Sequence, residues 1–183
     1  MLVGQKLQGT GLNSLRITRV FLLVLFVMSL LSGCKVYSFT GTSIPPDVKT
    51  VRVQYIENNA RYKNPQLSPQ LTDKLRQKIV SQTRLTQVNS DTADFDISGE
   101  ITQYDVSTSG ISNQQVSTNR LTVGVSLKLL NRKKPGEQPR NISASRSFDF
   151  SASLTLTQAE RQLNDEIIRN LTDEIFNQLF SDW

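Results

Sequence analysis

The chain has 183 residues, with 21 Lys and Arg against 16 Asp and Glu, a single cysteine and no histidine. The missing imidazole removes the commonest general base, the usual Ser-His triad and most zinc sites, and one thiol leaves no disulfide and no thiolate metal site. No catalytic residue and no metal ligand is therefore expected, and the protein reads as a binding or assembly module rather than an enzyme.

Residues 1–33 differ in composition from everything after them. Lys6, Arg16 and Arg19 form a positive leading region without an acid, and residues 20–31 (VFLLVLFVMSLL) are apolar but for Ser29. A run of this length suits the core of a signal peptide, roughly 7 to 15 residues, and is too short for a membrane-spanning helix of about 20. Leu31, Ser32, Gly33 and Cys34 resemble a bacterial lipobox, in which small residues fit the lipoprotein signal peptidase and the cysteine thiol carries a diacylglyceryl group. The competing reading is an apolar helix ending in a packed cysteine. The order of basic region, short apolar run, small pair and lone cysteine favours cleavage before Cys34 and lipid attachment there. Lys35 stands where Asp would favour inner-membrane retention, so the outer membrane is expected.

Loss of the signal removes Lys6, Arg16 and Arg19 and leaves 18 cations against 16 acids, a net +2 over 150 residues. That is no electrostatic footprint for nucleic acid. Residues 34–48 read as a lipidated tether, where Gly41 and the pair Pro45 and Pro46 block regular structure. Residues 49–183 are one domain's worth of chain.

Residues 50–56 alternate Val51, Val53 and Tyr55 against Thr50, Arg52 and Gln54, the period of a half-buried strand. Ser68 and Pro69 then predict a helix over 69–83, with Leu71, Leu75, Ile79 and Val80 on its apolar side and Lys74, Arg76 and Lys78 facing water. A strand follows at 95–102, carrying Phe95, Ile97, Gly99 and Ile101 on one face. Leu121, Val123, Val125, Leu127 and Leu129 give the clearest alternation in the chain, and a turn over 131–141 leads to a strand that places Ala144, Phe148 and Phe150 together, interrupted by Arg146. Thr157 and Glu160 match a capping box. The helix after them carries a stripe of Ala159, Leu163, Ile167, Leu171, Ile175 and Leu179, widened by Ile168, Phe176 and Phe180, and runs to Asp182 and Trp183.

These elements predict an α+β fold of order β-α-β-β-β-α, a two-layer sandwich whose four-stranded, mainly antiparallel sheet carries two helices on one face. Asp94, Asp96, Asp165 and Glu166 read as surface charges. Gly99, Gly110 and Gly124 are isolated glycines, not a phosphate-binding loop.

Beyond the lipobox, the segments Tyr37-Ser38-Phe39-Thr40-Gly41 and Ser43-Ile44-Pro45-Pro46 resemble the mature start of the LptE family. So do Asn64-Pro65 with Leu71, Asn119-Arg120-Leu121-Thr122-Val123 and Asp173-Glu174-Ile175-Phe176-Asn177; Lys35 departs from the glycine of many relatives. The resemblance implies an outer-membrane lipoprotein that plugs a large β-barrel of the LptD type, faces the periplasm or the barrel lumen, and takes part in lipopolysaccharide transport, with no cofactor beyond the diacylglycerol and N-acyl chain on Cys34. The other class compatible with the anchor is a pilot or assembly lipoprotein of a different envelope secretion system. Arg132, Lys133, Lys134 and Arg140, with Glu137 the only acid between them, are the candidate contacts to lipopolysaccharide phosphates. The same residues also read as a solvated hairpin tip.

Overall fold

A computed structural model describes Arg19 and residues 44–112 and 115–181. Cys34, the rest of the signal segment and the tether before Ile44 lie outside the described residues, as do Asp182 and Trp183.

Strand β1 (Thr50–Val53) buries Val51 and Val53, and the chain then passes through the short β2 (Glu57–Asn58) into helix α1 (Leu67–Gln82). After α1 come β3 (Thr86–Gln87), two long strands β4 (Phe95–Ser112) and β5 (Gln115–Asn131), β6 (Arg140–Ser151) and helix α2 (Leu156–Phe180).

The fold is α+β as expected, but the sheet is neither four-stranded nor mainly antiparallel. It has six strands in the order β3-β1-β4-β5-β6, with β2 also on β4. β1 runs parallel to both β3 and β4, and β2 is parallel to β4, while β4, β5 and β6 form an antiparallel meander. The parallel half follows from α1, a crossover long enough to return the chain in the same direction. The added strands escaped the sequence reading because two residues cannot display a period of two.

Helix boundaries also move. α1 begins at Leu67, two residues before the expected start, and Gln66 precedes it without a side-chain cap. Ser68, expected as the cap, is buried inside the first turn, where Pro69 is tolerated because no N–H is needed there. α2 is capped by Thr155 and Gln158 in a reciprocal box, not by Thr157 and Glu160.

One continuous core joins the layers. Val51, Ile97, Ile101, Leu121, Val125 and Leu127 meet Leu71, Leu75 and Ile79 of α1 and Leu171, Ile175 and Phe180 of α2. Burying each such side chain contributes about 1.5–3 kcal/mol. Arg146, the anomaly on the apolar side of β6, is half exposed and pairs its guanidinium with the Glu174 carboxylate on α2.

Two features of β4 shape the surface. A bulge at Thr102 slips the ladder by one residue, so that Ile101 pairs with Val125 and Tyr104 with Val123, and Tyr104 takes the inward phase that Gln103 would otherwise hold. Beyond Tyr104, residues 105–109 are exposed, so the hairpin of β4 and β5 stands clear of the helices. The sequence expectation of a strand ending at 102 missed this extension, since a segment exposed on both faces has no apolar alternation to show.

Candidate functional site

The basic residues singled out from the sequence lie between β5 and β6, beside the start of β4, because the register sets Phe95 opposite Asn131 and Asp96 opposite Leu130. This register brings two acids from 36 or more residues away into the turn, which no local pattern could reveal. The Arg132 guanidinium donates to Asp96 Oδ2 at 2.9 Å, and Lys133 Nζ lies 3.0 Å from Asp94 Oδ1. Lys134 sits 3.9 Å from Glu137, and Arg140 donates to the Leu179 carbonyl at the end of α2. The structure thus gathers all four cations at one end of the domain, exposed to solvent and each partnered.

Asp96 corrects the reading of a surface charge: its side chain is only 7% exposed. It sits on the sheet face away from the helices and accepts from Arg52 Nε at 3.0 Å and from the Arg52 terminal amine at 2.9 Å. Gln54 adds a bond at 3.0 Å, and Arg52 also contacts Asp91. Burial works to raise the Asp96 carboxyl, but hydrogen bonds from Arg52 and Gln54, the Arg52 charge and the Arg132 bond outweigh it and hold the group below the ordinary carboxylate range.

Asp94 ties the start of β1 to the same turn. Its Oδ2 accepts the backbone N–H of Lys49 at 2.8 Å and of Thr50 at 3.0 Å, while the Thr50 hydroxyl accepts from the Asp94 amide at 2.9 Å. The Lys49 amide is the main cause of a strongly depressed carboxyl; burial opposes it, and Lys133 and Thr50 reinforce it. Arg84 completes this end by donating to the carbonyls of Ile44 and Pro45 at 2.7 and 2.8 Å, which fixes the first described residues against the domain.

Between the turn and α2 lies a cleft of about 150 Å³, lined by Pro45, Phe95, Lys134, Glu137, Arg140 and Phe180. It is small for an organic ligand, since such pockets run from roughly 300 to 1,000 Å³. The arrangement as a whole offers solvent-facing cations, three held by carboxylates and Arg140 by a backbone carbonyl, which can contact an anionic surface. Among the described residues no group of three acids or thiols is placed to hold a metal ion, and no helix is long and apolar enough to cross a membrane.

A mixed sheet with two helices on one face, a bulged and projecting hairpin and an ion-paired far face define a small α+β module. Residues 48–179 match the family model described as LptE, lipopolysaccharide-assembly. The chain belongs to the LptE family of lipopolysaccharide-assembly lipoproteins, a non-enzymatic family of the cell envelope.

Among solved structures, it is similar to the rare lipoprotein B of Shewanella oneidensis, at a TM-score of 0.51 and 14% identity over 72% of this chain and 93% of that one. A lipoprotein B of Nitrosomonas europaea aligns at 0.44 and 16% identity, over 72% of this chain and 80% of that one. The Shewanella likeness shows the fold. No curated protein matches the chain in sequence.

Proposed function

We propose that the protein is an outer-membrane lipoprotein, anchored through acyl chains on Cys34, that partners an LptD-type β-barrel in the transport and assembly of lipopolysaccharide in the outer leaflet. The observation that carries this reading is the family match, which spans nearly the whole described domain. The geometry is compatible with it. Outer-membrane barrels have polar interiors, and the projecting hairpin presents Asp105, Ser107, Thr108 and Ser109 to its surroundings, together with the exposed apolar side chains of Val106 and Ile111. Arg132, Lys133, Lys134 and Arg140 supply guanidinium and ammonium groups for the phosphates of lipopolysaccharide, which must compete with Asp94, Asp96 and Glu137 for them.

The test is a mild-detergent pull-down of the lipidated protein from its own membranes, with mass spectrometry of the captured proteins and of the mature chain. A stoichiometric large β-barrel and a Cys34 terminus bearing diacylglycerol and an N-acyl chain are expected. Capture of a component of another secretion system would move the protein to the pilot or assembly class. For lipopolysaccharide, neutralising the four cations together is expected to weaken binding by the purified protein, and unchanged binding would remove them from that role.

A further inference from the structure

At the other end of α2 a second constellation forms that involves none of the four basic residues of the turn. The loop before α1 lays Tyr62 on Tyr104, ring centroids 5.3 Å apart and planes inclined by 30°. Tyr104 is buried at 2% exposure, whereas Tyr62 is 41% exposed, so the pair is a rigid support with one ring open to solvent. Glu160, in the first turns of α2, organises the polar side. Its Oε1 accepts from the Tyr104 hydroxyl at 2.8 Å and from Asn64 Nδ2 at 3.1 Å, while Oε2 has only a 3.5 Å contact with the Tyr62 hydroxyl. Burial raises the Tyr104 phenol, opposed by the Asn64 amide and reinforced by Glu160, so its proton stays in place to be donated.

Beside these groups opens a cleft of about 360 Å³, lined by Tyr62, Asn64, Gln66, Glu160, Arg161 and Asn164 among others. It has the size of a small-ligand site. Asn164 is held by a 2.7 Å bond to Gln70, and Arg161 is tied through Nε to the Thr157 carbonyl at 3.3 Å, which leaves its terminal amines without a partner among the described residues. The lining therefore combines an open aromatic ring, a carboxylate oxygen with spare acceptor capacity, amides and guanidinium donors. It lacks the enclosed apolar walls that a lipid tail or a drug-like molecule requires.

We infer that this cleft is a saccharide-binding site, in which one hexose of a glycan chain stacks its C–H face on Tyr62 and its hydroxyls bond Glu160, Asn64 and Arg161. The chemistry follows from the ligand class. A pyranose ring has an apolar face that fits an aromatic platform, and its vicinal hydroxyls both donate and accept, matching a carboxylate beside amides and a guanidinium. A nucleotide would need phosphate-binding cations or backbone nests beside the ring, and the only cation in this lining is Arg161. Glu160 and Leu179 are 19 residues apart on α2, which sets the cleft about 28 Å along the helix from the basic turn. The inference stands on this geometry alone and survives the failure of the barrel-partner reading.

The experiment is saturation-transfer NMR on the full lipidated protein in detergent micelles. One arm uses lipid-free core oligosaccharide released from lipopolysaccharide, and the other uses soluble glycan fragments of peptidoglycan. Saturation transfer to pyranose C–H protons in either arm supports the site, and the arm that responds assigns the source. Tyr62→Ala is expected to weaken binding roughly tenfold, with a small fall in thermal midpoint from the lost stacking on Tyr104 and the protein still folded at the assay temperature. Tyr62→Phe, which keeps the ring, is expected to retain binding. The inference is overturned if neither glycan receives saturation, or if Tyr62→Ala binds as the parent does.

Discussion

Replacing Asp96 by asparagine probes the ion-paired end of the domain more directly than removing any of its cations. Asp96 is 7% exposed and its carboxylate takes hydrogen bonds from Arg52, Gln54 and Arg132 at 2.9 to 3.0 Å. Breaking a fully buried pair costs about 3–5 kcal/mol because the surviving charge is stranded. Here the stranded charges are not fully buried: the Arg52 side chain is 18% exposed and that of Arg132 is 39% exposed, so both regain part of their hydration. Asparagine also keeps one acceptor oxygen and nearly the same volume. A net loss of about 2–3 kcal/mol is expected, a fall in thermal midpoint of roughly 4–12 °C for a domain of this size. Urea denaturation at pH 7 reads the loss directly. A loss well under 1 kcal/mol would place the cluster with ordinary surface ion pairs and refute the reasoning. The same variant frees Arg132 from its strongest competitor, so binding to anionic lipopolysaccharide vesicles should rise. No rise in a variant that remains folded would argue against phosphate contact by Arg132.

Acid should act through the same acids. Asp94 and Asp96 have folded carboxyls held below the unfolded value of about 3.9. Their stabilisation is therefore complete above that value and is lost as pH falls through the folded values, so the thermal midpoint should drop below about pH 4, less steeply in Asp94→Asn. A midpoint unchanged between pH 7 and pH 3 would contradict this. Gly99→Ala should strain the central ladder, since a Cβ there would sit 2.4 Å from the Ser126 carbonyl oxygen and 2.8 Å from Leu127 Cα, both backbone atoms; a cost of about 1–3 kcal/mol is expected in urea denaturation. Phe180→Ala, which empties a 1% exposed position packed at 5.2 Å against Phe176, should cost about 3–5 kcal/mol in the same assay.

How much could be read beforehand depended on whether a segment carries its own signature. The alternation from Leu121 to Leu129 and the stripe from Ala159 to Phe180 are long and periodic, and each lies within the strand or helix expected of it, although β5 starts earlier, at Gln115, and the helix ends at Phe180 with Ser181 outside it. β2 and β3 are too short to have a period, and the pairing of β1 with β4 depends on residues more than forty positions apart. The turn at Arg132 to Arg140 was visible as a charge cluster, but its neutralising partners Asp94 and Asp96 come from β4. The lone acid Glu137 therefore misrepresented the local balance. The aromatic cleft was less legible still, because Tyr62, Asn64, Tyr104 and Glu160 form no motif and meet only through three separate elements.

That meeting depends on two choices of frame which the sequence leaves balanced. In the run 155–160 (TLTQAE), both Thr155 with Gln158 and Thr157 with Glu160 satisfy the capping pattern. The fold uses the first, with the Thr155 amide bonded to Gln158 Oε1 at 2.9 Å. Glu160 is thereby left free to turn toward the sheet. On the sheet side, the bulge at Thr102 gives Tyr104 the inward phase; an unbulged strand would place Gln103 beneath the helix and swing the tyrosine to the opposite face. A shift of either frame separates the Tyr104 hydroxyl from Glu160 Oε1. With it go the bond that fixes the carboxylate and the support beneath Tyr62. A strand bulge and a helix cap thus act together to present one exposed aromatic ring beside one oriented carboxylate.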